Sequence, residues 1–140
     1  MMRDEPTIIP ADESVLANLQ TPAGPPTVCI QGLGFVGAAV SIAVASSRTP
    51  AGYPAYNVIG VDLPTEQGRA RIAALNRGEF PFPMADARLA AKAREARQTG
   101  NLVACANPEV FGKAEVVIVD VPLDVIFSAD GKALDLSIFD

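Results

Sequence analysis

A glycine-rich turn between an apolar strand and a helix of small residues constrains this chain more than any other feature. Thr27–Gln31 is an apolar run bounded by turn residues, which predicts a central parallel strand covered on both faces. Three glycines follow in the spacing Gly-x-Gly-x-x-Gly: Gly32, Gly34 and Gly37. In such a turn the first glycine permits the tight bend, the second lets a diphosphate approach the backbone, and the third allows close helix packing. We expect the N–H groups near Phe35 and Val36 to point at that diphosphate, assisted by the helix dipole.

An acidic residue ends the second predicted strand. Tyr56–Val61 is followed directly by Asp62, whose carboxylate at a strand tip would accept hydrogen bonds from the adenosine ribose and repel a 2′-phosphate. The pattern therefore predicts NAD rather than NADP. The alternative is that Asp62 only caps the next helix. Two arginines in that helix, Arg69 and Arg71, could tolerate a 2′-phosphate, although surface positions are the simpler interpretation.

The rest of the chain alternates between strands and helices. Helices are predicted over Val36–Ser46, Thr65–Asn76 and Ala87–Thr99, with Thr65 and Asp86 as N-caps. Further strands are predicted over Asn101–Cys105 and Glu115–Val121, a short helical turn over Pro108–Gly112, a turn over Ala129–Lys132 and a helix start over Asp135–Ile138. This alternation predicts an α/β fold, a Rossmann-like doubly wound parallel sheet in three layers, with strand order 3-2-1-4.

The same pattern divides the chain into two parts. We expect residues 1–26 to be an N-terminal extension, and residues 27–140 to be a nucleotide-binding domain that breaks off before further domains. The end of the fourth strand should line the nicotinamide side of the cleft, with Val121 and Pro122 at its edge. Asp120 and Asp124 in that segment form either an acid–base carboxylate pair or, more simply, part of a turn. No catalytic residue is assigned within the chain.

Composition narrows the possible partners and chemistry. A net charge of -5 argues against nucleic-acid binding, which requires a basic face. The chain has no histidine, so we expect neither a zinc site nor a histidine-based triad. Its two cysteines, Cys29 and Cys105, are expected to be buried free thiols, with a disulfide as the alternative. No apolar run is long enough to cross a bilayer and none resembles a signal peptide, so we expect a cytoplasmic protein.

Several motifs in order resemble the N-terminal NAD-binding domain of the UDP-glucose/GDP-mannose dehydrogenase family. They are Gly32–Gly37, Val58–Asp62, Ala74–Gly78 with Pro81, Val119–Asp124, Asp130–Lys132 and Asp135–Ser137. The resemblance implies a full-length enzyme that oxidises the C6 alcohol of a UDP-sugar to a carboxylate in two NAD-dependent steps. Its catalytic cysteine would lie outside this chain, in domains that also hold the nucleotide sugar. A homo-oligomer and a role in polysaccharide biosynthesis are implied in the same way.

The resemblance also assigns cofactor contacts residue by residue. It implies a phosphate loop at Gly32, Gly34, Phe35, Val36 and Gly37, a ribose acid at Asp62, and a basic residue at Arg69. The family's usual Val-Pro-Thr-Pro is here Val121–Asp124, which lacks the threonine, so the backbone near Val121 and Pro122 is expected to meet the cofactor instead.

Three other interpretations remain open on the sequence alone. The domain could serve a hydroxyacyl-CoA or 6-phosphogluconate type of dehydrogenase, or it could be a non-catalytic nucleotide-sensing module. A methyltransferase is the third, although its turn normally lacks this glycine spacing.

Overall fold

The computed structural model describes residues 24–83, 86–123, 125–128 and 131–134. Its centre is a four-stranded parallel sheet in the order β3-β2-β1-β4. The strands are β1 (Thr27–Gln31), β2 (Asn57–Val61), β3 (Leu102–Cys105) and β4 (Val116–Val119). The predicted strand order and parallel pairing are therefore confirmed, with strand ends that agree to within two residues.

Three α-helices pack on one face of the sheet: α1 (Phe35–Ala45), α2 (Glu66–Asn76) and α3 (Ala87–Thr99). Side chains alternate along each strand, so every second strand residue points to these helices. Within the described residues, the resulting core contains thirteen buried residues: Val28, Ile30, Leu33, Ala38, Ile42, Ala45, Val58, Ile72, Leu75, Ala93, Ala96, Leu102 and Ala104. The small residues of α1 let this helix lie close to the sheet.

The opposite face of the sheet is covered by a 3-10 helix over Pro108–Lys113. This helix forms the crossover from β3 to β4, so the chain passes to the other side of the sheet after β3. That change of side makes the fold doubly wound, as predicted. The third layer, among the described residues, consists of this short 3-10 helix over Cys29, Ile59, Val61 and Cys105.

Helix ends follow the sequence signals closely. The Thr65 hydroxyl accepts a hydrogen bond from the Gly68 N–H at 3.0 Å, and the Asp86 carboxylate accepts one from the Arg88 N–H at 2.9 Å. Both N-caps are therefore confirmed. Gly100 ends α3 in the left-handed conformation, with φ 78°, where a side chain would be strained.

The outer edge of β3 is covered by a side chain. The Asn76 amide donates to the Ala104 carbonyl at 2.9 Å, and its carbonyl oxygen accepts from the Ala104 N–H at 2.8 Å. This amide group bonds the edge as a neighbouring strand would, and so it satisfies backbone groups that would otherwise be open to another chain.

The region after β4 differs from the prediction. Val125–Ser128 and Gly131–Leu134 form an antiparallel pair in which Ser128 lies opposite Gly131. The predicted turn over Ala129–Lys132 is therefore wrong at its second half, because Lys132 belongs to a strand. The helix start over Asp135–Ile138 and the extension over residues 1–23 lie outside the described residues.

Candidate cofactor site

The glycine turn is held in place by the neighbouring strands. The Gly32 N–H donates to the Val61 carbonyl at 2.8 Å, and the Asp120 N–H donates to the Gln31 carbonyl at 2.8 Å. Gly32 has φ 93°, and a Cβ added there would collide with the Asp120 carbonyl. A side chain at this position is excluded by both conformation and space.

The other two glycines of the motif differ in whether their surroundings leave space for a side chain. A Cβ at Gly37 would collide with the Gly32 carbonyl, so Gly37 is required by packing of α1 against the turn. At Gly34, apart from its two chain neighbours, no described residue has an atom within 4 Å of an added Cβ. Gly34 also has φ -63° and ψ -172°, an extended conformation that any residue adopts. Neither the backbone nor the packing of the described residues accounts for a glycine at this position.

Open N–H groups lie beside that space. Gly34 is the N-cap of α1 and supplies no side-chain hydrogen bond, and the first turn contains no acidic residue. The first N–H groups of a helix have no partner within it, and together with the helix dipole they attract an anion. The side chains of Phe35 and Val36 are exposed, so neither covers this end of α1. The space and the donors fit a diphosphate.

Asp62 lies next to the turn, as predicted. Its Oδ2 accepts a hydrogen bond from the Leu33 N–H at 3.2 Å, and its Oδ1 accepts one from the Leu63 N–H at 2.8 Å. The carboxylate is mostly buried, with 12% of the side chain exposed. Two backbone donors thus fix its orientation at the tip of β2, and its remaining lone pairs can accept further hydrogen bonds.

The basic residue beside Asp62 is Arg71. Its Nη1 lies 3.5 Å from Asp62 Oδ2, and its guanidinium lies 5.3 Å from the centre of the Phe82 ring. Arg69 is exposed on α2 and forms no ion pair with another described residue. The role implied for Arg69 stays a prediction, whereas Arg71, for which a surface position is the simpler expectation, lies half-buried beside Asp62.

Three aromatic rings connect the turn with the loop after α2. The Phe35 and Phe80 rings lie 5.2 Å apart, edge to face, and the Phe82 ring lies 5.7 Å from each of them. Such arrangements stabilise aromatic pairs beyond the area they bury. They fix Phe35, the residue after Gly34, against the Phe82 ring that Arg71 also contacts.

Val121 and Pro122 follow β4 at the carboxyl end of the sheet, on the side of β1 that is opposite β2. Val121 approaches the turn closely, since its Cγ1 would lie 3.4 Å from a Cβ at Gly32. The predicted contact of these two residues with a cofactor stays a prediction. Asp124, the second member of the possible carboxylate pair, lies outside the described residues.

The two cysteines lie away from this site. Both are buried thiols beneath the 3-10 helix, and the Cys29 thiol lies 3.6 Å from the Val110 carbonyl. Burial, with a smaller contribution from Cys105, raises the pKa of Cys29 from 9.0 to about 11. A buried thiol of raised pKa is unreactive at neutral pH. Among the described residues there is no group of three Cys, Asp or Glu side chains that could hold a metal ion, and no helix long and apolar enough to cross a membrane.

A doubly wound parallel sheet, a glycine turn that leaves space at Gly34, and an acid at the tip of β2 together define a Rossmann-like nucleotide-binding domain. Solved structures with a similar fold share one kind of chemistry. GDP-mannose dehydrogenase from Pseudomonas aeruginosa, solved as a ternary complex, is 26% identical over 80% of this chain, with a TM-score of 0.56. UDP-D-ManNAc dehydrogenase from Pyrococcus horikoshii is 25% identical over 81% of it, with a TM-score of 0.55.

A third solved structure is similar to this chain in fold, at an identity too low to support more than that. NDP-N-acetyl-D-galactosaminuronic acid dehydrogenase from Methanosarcina mazei Go1 is 19% identical over 79% of this chain, with a TM-score of 0.62. No protein-family model and no curated protein matches the chain. The chain covers 22%, 23% and 22% of the Pseudomonas, Pyrococcus and Methanosarcina proteins. These comparisons confirm the resemblance to nucleotide-sugar dehydrogenases that the motifs predicted.

Proposed function

We propose that this chain is the NAD-binding domain of a nucleotide-sugar 6-dehydrogenase, which oxidises the C6 alcohol of a UDP-sugar to a carboxylate in two NAD-dependent steps. The observation that carries the proposal is the space at Gly34. No packing contact among the described residues requires a glycine there, whereas a diphosphate bound to the N–H groups of α1 does. The likeness to two nucleotide-sugar dehydrogenases at 25–26% identity supports the choice of enzyme.

The preference for NAD rests on Asp62. Its carboxylate is oriented by the Leu33 and Leu63 N–H groups and would accept hydrogen bonds from the two adenosine ribose hydroxyls. A 2′-phosphate, which is negatively charged, would be repelled by this carboxylate. Arg71 weakens that repulsion, because its guanidinium lies within ion-pair distance of the same carboxylate, and so we expect a preference for NAD rather than complete exclusion of NADP.

The remainder of the proposed activity lies beyond these residues. The nucleotide sugar and the catalytic residues would be held by other parts of a full-length protein, which we expect to form a homo-oligomer. We therefore expect no turnover by the 140-residue chain alone, since hydride transfer requires a substrate held against the nicotinamide. Two buried thiols, Cys29 and Cys105, suit the reducing conditions of the cytoplasm, where polysaccharide precursors would be made.

Calorimetric titration of the chain with NAD⁺ and NADP⁺ tests the proposal. We expect NAD⁺ to bind more tightly than NADP⁺, and Asp62→Asn to weaken NAD⁺ by roughly tenfold, about the effect of losing a hydrogen bond to a charged group. Glu95→Gln, which removes a carboxylate from the exposed face of α3, should leave both affinities unchanged. Failure of the folded wild-type chain to bind either nucleotide would contradict the cofactor assignment.

A further inference from the structure

A second carboxylate lies against the glycine turn, at Asp120. This residue follows β4, and alternation along the strand places it on the sheet face of Ile118, which packs against the core. The Asp120 Oδ2 lies 3.1 Å from the position of a Cβ on Gly37. Its side chain therefore stands beside the first turn of α1, where the proposed diphosphate would bind.

No cation balances this carboxylate in the part of the chain that the structure describes. The ion pairs there involve other acids, and Asp120 is only partly buried. A negative charge at the N-terminal end of a helix is stabilised by the helix dipole. The same charge, however, opposes the binding of any other anion to that helix end, and it acts over several ångströms in this partly desolvated environment.

The sheet order decides which part of a dinucleotide this charge would act on. Asp62 at the tip of β2 defines the adenosine side, and β4 lies on the opposite side of β1. In a doubly wound sheet the ligand spans the crevice between these two sides. Asp120 therefore faces the nicotinamide half, whereas Asp62 faces the adenosine half.

We propose that Asp120 is a specificity-determining residue that makes the site favour the oxidised cofactor over the reduced one. The inference rests on the proposed function, because it requires a nicotinamide cofactor. NAD⁺ carries a positive pyridinium ring, and NADH carries a neutral dihydropyridine in its place. Both carry the same diphosphate, so its repulsion by Asp120 cancels in the comparison. The remaining term is the attraction between the carboxylate and the pyridinium, which stabilises only bound NAD⁺.

The test is the ratio of the two dissociation constants, Kd(NADH)/Kd(NAD⁺), measured by calorimetry at low ionic strength for the whole chain. We expect Asp120→Asn to lower this ratio by roughly threefold to tenfold, the effect of unit charges about 10 Å apart at an intermediate dielectric constant. Asp120→Ser should have the same effect with a smaller side chain. Added salt should lower the wild-type ratio as well, because it screens the charge.

Glu115→Gln is the matched control, since Glu115 precedes β4 at the opposite end of the strand and accepts a hydrogen bond from the Thr27 N–H. It removes the same charge far from the turn and should leave the ratio unchanged. Thermal unfolding establishes that each variant is folded. If wild-type and Asp120→Asn bind both nucleotides with the same ratio, the role of Asp120 is refuted while the proposed function stands. If the folded wild-type chain binds neither nucleotide, both are refuted.

Discussion

Replacement of Gly34 by alanine tests whether this glycine is needed for cofactor binding or for the stability of the fold. Apart from the two chain neighbours, no described residue would have an atom within 4 Å of the Cβ of Gly34→Ala, and the backbone is already extended. Loss of chain freedom in the unfolded state favours alanine by about 0.4–1 kcal/mol. The weaker N-capping of alanine opposes this by about 0.5–1 kcal/mol. We therefore expect the free energy of unfolding to change by less than about 0.5 kcal/mol.

Gly37→Ala is the matched substitution in the same motif. Its Cβ would collide with the Gly32 carbonyl, so α1 and the turn must separate. Overpacking of this kind costs about 1–3 kcal/mol, which corresponds to a decrease in Tm of about 3–12 °C for a domain of this size. The two variants should thus differ clearly in a thermal melt.

The affinity for NAD⁺ should be weakened by Gly34→Ala even though the stability of that variant is nearly unchanged. The methyl group of Gly34→Ala would occupy the space that a diphosphate needs, so we expect at least about tenfold weaker binding, equivalent to about 1.4 kcal/mol. The assay is calorimetric titration of each folded variant below its melting transition. Wild-type affinity for NAD⁺ in Gly34→Ala would refute this reasoning, and so would a loss of stability equal to that of Gly37→Ala.

Two further predictions concern stability. Asn76→Ala should lower the free energy of unfolding, measured in urea, by about 1–3 kcal/mol, because it removes two hydrogen bonds to Ala104 at the edge of β3. Gln67→Ala on the exposed side of α2 is the control. Equal effects of the two substitutions would contradict the role of Asn76 at this edge. The raised pKa of Cys29, about 11 against an ordinary 9.0, means that the unfolded chain loses this proton first as the pH rises. Stability from this group is present below pH 9 and declines between about pH 9 and 11, by at most roughly 3 kcal/mol. Unfolding of Cys29→Ala should show a smaller decline over that range, and parallel curves would contradict it.

The strands and helices were predictable because their signals are local. The apolar runs of β1 and β2 and the caps at Thr65 and Asp86 act within a few residues of the chain. The order of the sheet was predictable as well, since a glycine turn in the first crossover is typical of one topology. The short strands after β4 were missed because Asp130-Gly131-Lys132 has turn composition, whereas the pairing of Gly131–Leu134 with Val125–Ser128 depends on a partner strand.

The arrangement around Asp62 was only partly predictable. Arg69 and Arg71 are two residues apart on α2, about 200° around the helix axis, so the two cannot face β2 alike. Which arginine contacts Asp62 depends on the position of α2. Gly68 lies so close to the Leu63 carbonyl that a Cβ would not fit there, and this contact fixes the position of the helix. Such a fit between a helix and the preceding loop has no signal in the spacing of charged residues.

The position of Leu33 holds the glycine turn close to β2 and Asp62. Its side chain is fully buried, and a Cβ at Gly60 on β2 would lie only 2.7 Å from Leu33 Cδ2, so the two residues fit closely. The Leu33 N–H is thereby held towards Asp62, to which it donates a hydrogen bond. The core of the sheet thus fixes the glycine turn and Asp62 relative to each other. Groups that the core already holds would need no ordering when a dinucleotide binds, so the proposed affinity would not be reduced by that cost.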